Sequence, residues 1–329
     1  MKMKKSRITF LIAEISLAIL TIFFVRHIFS DEEPQRRVAV IVENSGDEKW
    51  DSFINGMKQA ADIQNIHLVI CNTDEIENAE EEKSLIYEQM DNNIDAFIVQ
   101  SAPGHDVMEL LEEVAREKPV ILVENDVLVP EIADNIHAVS EFPKIMPDNY
   151  DMGYQLGMEL LRKNGHDIQG KTVGIVNGLA DTDSAEKRRQ GLKDALASSG
   201  CEISWEIYTS HDQNIAAAVE RKQQVDYIAV LETEALEQLG EMTVDESMQG
   251  TLLYGIGSSI KCVYYLDNGM IESLVMADGY DMGYNSVVEI SHALEHSLYS
   301  IPDHTIALKV LQKEDIFTEE NQQFLHTYE

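Results

Sequence analysis

The stretch at residues 37–74 reads RVAVIVENSGDEKWDSFINGMKQAADIQNIHLVICNTD, and it decides the fold. Its apolar, β-branched start at residues 38–42 is followed by a polar loop with one glycine. Apolar residues then recur at helical spacing from Trp50 onward, and a second apolar run covers residues 67–71. The order strand, loop, helix, strand predicts a βαβ unit, which joins neighbouring strands of a parallel sheet.

The same pattern recurs 135 positions later in the chain. Residues 173–176 match the first strand, and Gly191 corresponds to Gly56. Each glycine follows the valine that marks its strand, Val38 or Val173, by 18 residues. We interpret this equal spacing as an internal repeat that predicts two similar lobes. Convergence is the alternative, because any two βαβ units share a period.

The rest of the chain alternates short apolar runs with amphipathic stretches. In the first half, runs at 96–99 and 120–123 flank a stretch at 106–117 whose apolar residues share one helical face. Near-continuous apolar strands between amphipathic helices are typical of a parallel sheet covered on both faces. We therefore predict an α/β fold with two Rossmann-like lobes. The last residues, 319–329, have no clear pattern and are predicted to be a loose tail.

The chain is strongly acidic. It contains 59 Asp and Glu residues against 25 Lys and Arg residues, a formal net charge of −34. Five of the basic residues precede residue 31, so the remainder is more acidic still. Contact with nucleic-acid phosphates needs clustered Lys and Arg. The sequence therefore argues against a nucleic-acid partner.

An apolar run of about 18 residues, 8–25, lies near the amino terminus and is interrupted by Glu14. A helix that spans a bilayer needs roughly 17–25 residues. Four basic residues before the run would keep the amino terminus in the cytoplasm. Residues 25–30 form a poor cleavage site, and no cysteine nearby could carry a lipid. We predict that residues 1–30 are a basic end plus an uncleaved signal anchor in the cell membrane, with a cleaved signal peptide as the alternative.

The three cysteines, Cys71, Cys201 and Cys262, are far apart and odd in number. This spacing fits no metal-binding motif, so we expect free thiols, although one disulfide outside the cell is possible in principle. No metal site, cofactor or catalytic residue is predicted.

Four motifs then occur in order: an Asn/Asp-rich loop ending in an aromatic residue at 44–50, DNYDMGYQLG at 148–157, AEKRRQG at 185–191 and DGYDMGY at 278–284. With these motifs, residues 37 to about 317 resemble the sugar-type periplasmic binding proteins and the effector domains of the LacI repressors. The resemblance implies two lobes with a ligand in the cleft between them, where the carboxyl ends of the parallel strands meet.

The resemblance also implies three crossings between the lobes, near 140–148, 277–280 and 300–305. The corresponding domain boundaries give a first lobe of residues 31–140 and 278–302, a second lobe of 141–277 and 303–317, and a tail of 318–329.

Ligand-binding positions follow from the resemblance one residue at a time. The ten implied positions are Glu43, Asp47, Trp50, Gln100, Glu124, Asn125, Glu186, Arg188, Glu232 and Asp278. The ligand-binding arginine of the family falls on Glu186 here, and Arg188 is a substitute or a surface residue. Trp50 is interpreted either as a platform that stacks on a ligand ring or as a core residue.

These positions bring together six carboxylates and one cation, Arg188. Several carboxylates in one cleft repel one another unless protons or cations compensate. Three explanations remain open: some of the acids face away from the cleft, the ligand is positively charged, or the site no longer binds a sugar.

The sequence favours a binding protein over an enzyme. No G-x-S-x-G, P-loop, G-x-G-x-x-G or His/Cys cluster follows a predicted strand. We expect an extracytoplasmic solute-binding protein that takes a small molecule, a sugar or related polyol, and acts with a sensor kinase or an ABC permease. The alternatives are a degenerate lobe pair that binds only a protein partner and, less favoured, an α/β enzyme.

Overall fold

The computed structural model describes residue 10 and residues 14–21, 35–128, 142–165, 168–210, 213–244, 248 and 250–328. The chain divides into two compact units, residues 1–35 and 36–329. In the first unit, residues 14–21 are helical. No helix within the described residues has the length and apolarity needed to cross a bilayer. Half of the predicted anchor at 8–25 lies outside the described residues.

The strands of the second unit are, in chain order, β1 (Arg36–Ile41), β2 (Ile66–Ile70), β3 (Ala96–Val99), β4 (Val120–Val123), β5 (Lys144–Pro147), β6 (Thr172–Leu179), β7 (Glu202–Thr209), β8 (Tyr227–Val230), β9 (Leu252–Ile256), β10 (Ser273–Ala277), β11 (His304–Ile306) and β12 (Leu308–Leu311).

The helices are α1 (Asp51–Gln64), α2 (Ala79–Asp91), α3 (Val107–Ala115), α4 (Asn149–Lys163), α5 (Asp183–Leu196), α6 (Ile215–Glu220), α7 (Thr233–Val244), α8 (Ile260–Asp267), α9 (Gly279–Glu295) and α10 (Glu319–Leu325). Single 3-10 turns precede α1 at Glu48–Trp50 and follow α10 at His326–Tyr328.

The strands form two six-stranded sheets of the same order. The first is β11-β5-β4-β3-β1-β2, and the second is β12-β10-β9-β8-β6-β7. The pairings are parallel except that β12 runs antiparallel to β10. The predicted α/β class with two parallel-dominated sheets is therefore confirmed. The first lobe is the first sheet with α1–α3 and α9, and the second lobe is the second sheet with the remaining helices.

Two of the three crossings between the lobes lie within the predicted ranges, whereas the third crossing and two of the predicted domain boundaries differ from the structure. Strands β5 and β11 pair in the first sheet, whereas the predicted boundaries at 141 and 303 placed them in the second lobe. The chain crosses at Asp148, Asp278 and Ala307, and the last two are joined by a hydrogen bond from the Asp278 amide to the Ala307 carbonyl of 3.0 Å. Strands β5 and β11 are only four and three residues long, which is too short for a strand pattern to appear in the sequence.

The first two crossings start helices by the same device. The carboxylate of Asp148 accepts a hydrogen bond from the Asp151 amide at 3.0 Å, which caps the amino terminus of α4. Asp278 accepts one from the Asp281 amide at 3.0 Å and caps α9. An aspartate at this position satisfies an amide that the helix leaves unpaired. The repeated motif D-x-Y-D-M-G-Y is thus a helix start placed directly after a crossing.

Each lobe contains a pair of helices in backbone contact through glycines. In the first lobe, a β-carbon on Gly56 would lie 2.1 Å from the Tyr280 carbonyl oxygen. In the second lobe, a β-carbon on Gly191 would lie 2.0 Å from the Tyr150 carbonyl oxygen. No side chain larger than hydrogen fits at such distances, so glycine is required at both repeat positions. The 135-residue repeat is therefore a repeat of helix packing.

The carboxyl-terminal segment is docked, which corrects the prediction of a loose tail at 318–329. Phe324, Leu325 and Tyr328 are buried in the core of the second lobe. The Tyr328 hydroxyl donates to the Ala277 carbonyl at 2.6 Å, beside the second crossing. The segment escaped notice because its apolar residues are few and lie in a run of polar ones.

We expect Phe324→Ala to lower the free energy of unfolding by about 3–5 kcal/mol, the usual cost of truncating a buried phenylalanine. Phe317→Ala is the matched control, because Phe317 is 70% exposed whereas Phe324 is 7% exposed. Urea unfolding of both variants measures the difference. Equal stability of the two variants would mean that the segment does not pack as described.

Candidate functional site

A cavity of about 590 Å³ lies between the lobes. Its walls come from the residues that follow β1, β3 and β4 in the first lobe and from the carboxyl ends of β6, β7 and β8 in the second. Ligands bind at the carboxyl ends of parallel strands, because loops and helix amino termini meet there. Both lobes therefore contribute to one site.

Seven of the ten predicted positions line this cavity: Glu43, Trp50, Gln100, Glu124, Asn125, Arg188 and Glu232. Three do not, namely Asp47, Glu186 and Asp278. Asp278 caps α9, as described above. Asp47 lies in an adjoining groove whose lining includes Glu234 and Lys261.

Glu186 lies outside the cavity for a geometric reason. It is two residues before Arg188 on α5, and residues two apart on a helix point in nearly opposite directions. Arg188 faces the cavity, and Glu186 instead pairs with Arg189 at 2.7 Å and accepts from the Tyr208 hydroxyl at 2.8 Å. Arg188 therefore takes the place that the resemblance gave to Glu186.

Arg188 is buried, and protein groups occupy its guanidinium. Its Nε donates to Asn149 Oδ1 at 2.7 Å, and its Nη1 donates to the Leu231 carbonyl at 3.2 Å. Its Nη2 forms an ion pair with Glu124 of the first lobe. Glu124 has a φ of 58°, and its carbonyl accepts from Asn149 Nδ2 at 3.0 Å. This network fixes the position of Arg188 in the wall of the cavity.

Lys49 is a second cation in the wall, and sequence reasoning missed it. Its Nζ lies 3.5 Å from Glu43 and 2.8 Å from Glu234, which belongs to the second lobe. Burial alone would lower the pKa of Lys49, but the carboxylates of Glu43 and Glu234 outweigh it, and the net shift is upward. The ammonium therefore stays charged. The one sequence signal is its place beside Trp50 in the loop after β1.

Several polar contacts join the lobes around the cavity. Besides the two ion pairs, the Ser184 amide donates to Asn125 Oδ1 at 3.0 Å. The Gly104 amide donates to the Asp181 carbonyl at 2.9 Å. The lobes therefore stand in contact across the cavity, which is a closed arrangement.

Trp50 combines the two roles that the sequence left open. It lines the cavity, yet it is only 3% exposed and belongs to a hydrophobic core cluster. Its Nε1 donates to the Glu43 carbonyl at 2.9 Å, and its ring packs at a tilt against Phe53. Burial and this hydrogen bond make Trp50 mainly a structural residue that orients the loop holding Glu43.

Glu232 occupies the start of α7. Its carboxylate accepts hydrogen bonds from the Ala235 amide at 2.5 Å and the Glu234 amide at 3.3 Å. Burial, followed by the nearby carboxylate of Glu234, raises the pKa of Glu232 to about 7. Lys49 opposes this shift and Glu43 adds to it. The group therefore exchanges its proton near neutral pH.

The cysteines of this structure are buried or half-buried thiols. Within the described ranges, no group of His, Cys, Asp and Glu residues is placed to hold a metal ion. Cys71, Cys201 and Cys262 are free. Burial raises the pKa of Cys71 to about 11 and that of Cys262 to about 12, which keeps both as unreactive thiols.

Comparison with known proteins gives one family. The model of the periplasmic binding protein domain matches residues 38–296. No curated protein sequence matches the chain significantly.

Solved structures share the fold at low sequence identity. GanP, a glucose-galactose binding protein from Geobacillus stearothermophilus, is 18% identical with a TM-score of 0.73, and the alignment covers 87% of this chain and 100% of GanP. A second structure is a carbohydrate transporter solute-binding protein from Agrobacterium radiobacter in complex with D-arabinose. It is 13% identical with a TM-score of 0.78, and the alignment covers 89% of this chain and 99% of that one. A structure of a XylFII–LytSN complex is 14% identical with a TM-score of 0.70, and the alignment covers 85% of this chain and 99% of that one.

The raised pKa of Glu232 predicts a pH-dependent stability. The folded protein keeps a proton on Glu232 up to about pH 7, whereas the unfolded chain releases it at about pH 4. Stability contributed by this group is therefore present at low pH and lost as the pH rises through 7. Relative to Glu232→Gln, the wild type should lose roughly 1 kcal/mol per pH unit between pH 5 and 7.

Denaturant unfolding at pH 5, 6, 7 and 8 measures this difference. Glu186→Gln is the control, since burial is outweighed there by Arg189 and Tyr208 and the pKa of Glu186 is lowered. Its difference from the wild type should stay constant over this range. A constant difference for Glu232→Gln as well would contradict the assignment.

Proposed function

Because the chain belongs to the periplasmic binding protein domain family, we propose that it is an extracytoplasmic solute-binding protein whose lobes close on a small polyhydroxylated ligand such as a sugar. The observation that carries this proposal is the cavity of about 590 Å³ between the carboxyl ends of the two sheets. Its volume is within the usual range for small-molecule sites, about 300–1,000 Å³.

The lining of the cavity supports a ligand rich in hydroxyl groups. The lining includes amide side chains at Gln100, Asn125 and Gln213 and hydroxyl side chains at Ser101 and Ser210. Amides both donate and accept hydrogen bonds, and carboxylates accept them, so together they match hydroxyl groups that do both. The sugar ligands named for similar structures agree with this class, although those chains are at most 18% identical.

We extend the proposal to a membrane partner, either a sensor kinase or an ABC permease. The acidic lobes would lie outside the cytoplasm, held by an uncleaved signal anchor at 8–25. Closure of the lobes on the ligand would present a different surface to the partner or deliver the ligand to it. An anchor without a lipid-carrying cysteine favours sensing over plain import.

Binding of sugars by the full-length protein tests the proposed function. We expect saturable binding, by isothermal titration calorimetry, of at least one of D-arabinose, D-glucose and D-galactose. Gln100→Ala should weaken it about tenfold, because the Gln100 side chain holds Glu43 in the wall: it accepts from the Glu43 amide at 3.0 Å and donates to the Glu43 carboxylate at 3.3 Å. Two hydrogen bonds of about 0.5–1.5 kcal/mol each are then lost. Gln190→Ala is the matched control, as Gln190 is exposed and lies outside the cavity lining. Absence of binding by all three sugars would favour a protein-interaction module instead.

Retention of the anchor is tested on the membrane fraction. Amino-terminal sequencing of the protein from that fraction should give a chain that starts at or near Met1. A mature amino terminus within residues 27–31 would show that the segment is a cleaved signal and would remove the anchor from the proposal.

A further inference from the structure

The cavity holds more negative charge than the protein compensates. Among the described residues six carboxylates line it, and they belong to Glu43, Glu75, Glu124, Glu232, Glu234 and Glu241. Glu241 is paired with Lys261 at 2.6 Å, and Glu75 also has a partner in the protein, so the excess charge lies around Lys49. The cations among the described lining residues are Lys49 and Arg188. A neutral ligand would leave this imbalance in place after the lobes exclude water.

Protein carboxylates already engage the two cations. Arg188 pairs with Glu124, as described above. Lys49 pairs with both Glu43 and Glu234, so a single ammonium serves two carboxylates. Neither cation is therefore positioned to receive a carboxylate or phosphate from a ligand. An anionic ligand would also meet the carboxylate of Glu232.

Glu232 is the third carboxylate of this cluster. Its oxygens accept backbone amides of α7, and within the described part of the chain no Lys or Arg lies at ion-pair distance from it. Around Lys49 there are thus three carboxylates, Glu43, Glu232 and Glu234, for one positive charge. Poorly compensated charge of this kind, removed from water, is costly.

The groove next to the cluster also contains an excess of negative charge. Asp47 interacts with Glu234 there, and burial raises the pKa of Asp47 although Lys49 opposes the shift. Two carboxyl groups that interact directly do so most favourably when they share a proton. The negative potential therefore extends from the cavity to its rim.

From this charge balance we propose that the ligand is cationic, an amine carried on a polyhydroxylated frame, and that its ammonium binds beside Glu232 and Glu234. The inference rests on the proposed function and narrows it to one class of ligand. The ammonium supplies the charge that the wall lacks, and the hydroxyl groups use the amide and hydroxyl side chains.

Matched probes that differ only at C6 test the charge of the ligand. The probes are D-glucose, its 6-amino-6-deoxy derivative and D-glucuronate, with the same three forms of D-galactose. Calorimetric titration of the full-length protein is done at pH 8, where Glu232 is ionised and a primary alkylamine is protonated. In at least one series the amine should bind about tenfold more tightly than the neutral sugar, in line with a charge-assisted hydrogen bond. The uronate should bind most weakly.

Variants then locate the ammonium. Glu232→Gln should reduce the preference for the amine over the neutral sugar about tenfold, whereas Glu186→Gln, outside the cavity, should leave it unchanged. If Glu232→Gln does not fold, Glu234→Gln serves, because Glu234 is half exposed at the rim and has the same expected effect.

The outcomes separate this inference from the proposed function. Binding of a neutral sugar as tight as that of its amine would overturn the cationic ligand and leave a sugar-binding protein. No binding by any probe would overturn both. An amine preference that survives Glu232→Gln and Glu234→Gln would overturn the placement of the ammonium in this cluster.

Discussion

The structure depends on one close contact made twice, a glycine of one helix against a backbone carbonyl of another. Gly56 approaches Tyr280 in the first lobe, and Gly191 approaches Tyr150 in the second. In each pair, one helix follows the lobe's first strand, and the other begins at a crossing between the lobes. The contact therefore ties each crossing to the lobe it enters. Gly153, facing the Arg188 carbonyl, extends this packing to a residue of the cavity wall.

Much of the fold was predictable, because the informative interactions are local or periodic. The run at 38–42 and its repeat at 173–176 are continuous and apolar, and both lie in interior strands of the two sheets. Strands β5 and β11 are too short for a period to appear in the sequence. The predicted lobe boundaries therefore placed both strands in the wrong lobe. The docking of the last helix depends on partners far away in the sequence, such as Ala277, 51 residues from Tyr328.

The candidate site was predictable in place but not in charge pairing. Loops after parallel strands meet at one edge, and so seven of ten positions line the cavity. The direction of a side chain on a helix depends on the rotation of that helix about its axis, which the sequence does not give. In the structure this rotation turns Arg188, and not Glu186, toward the cavity. Lys49 was missed because its partner Glu234 is 185 residues away. Its burial between two acids exists only once the lobes meet.

The docked carboxyl terminus has a consequence for how the hinge could be observed. The Thr327 hydroxyl hydrogen-bonds the Ser52 hydroxyl at 2.8 Å, and the Thr327 carbonyl accepts from Asn55 Nδ2 at 3.3 Å. Ser52 and Asn55 belong to the first lobe, whereas the preceding Phe324 is buried in the core of the second. Rotation of one lobe against the other must therefore shear these bonds. The end of the chain is a natural attachment point for a fluorophore that reports domain rotation.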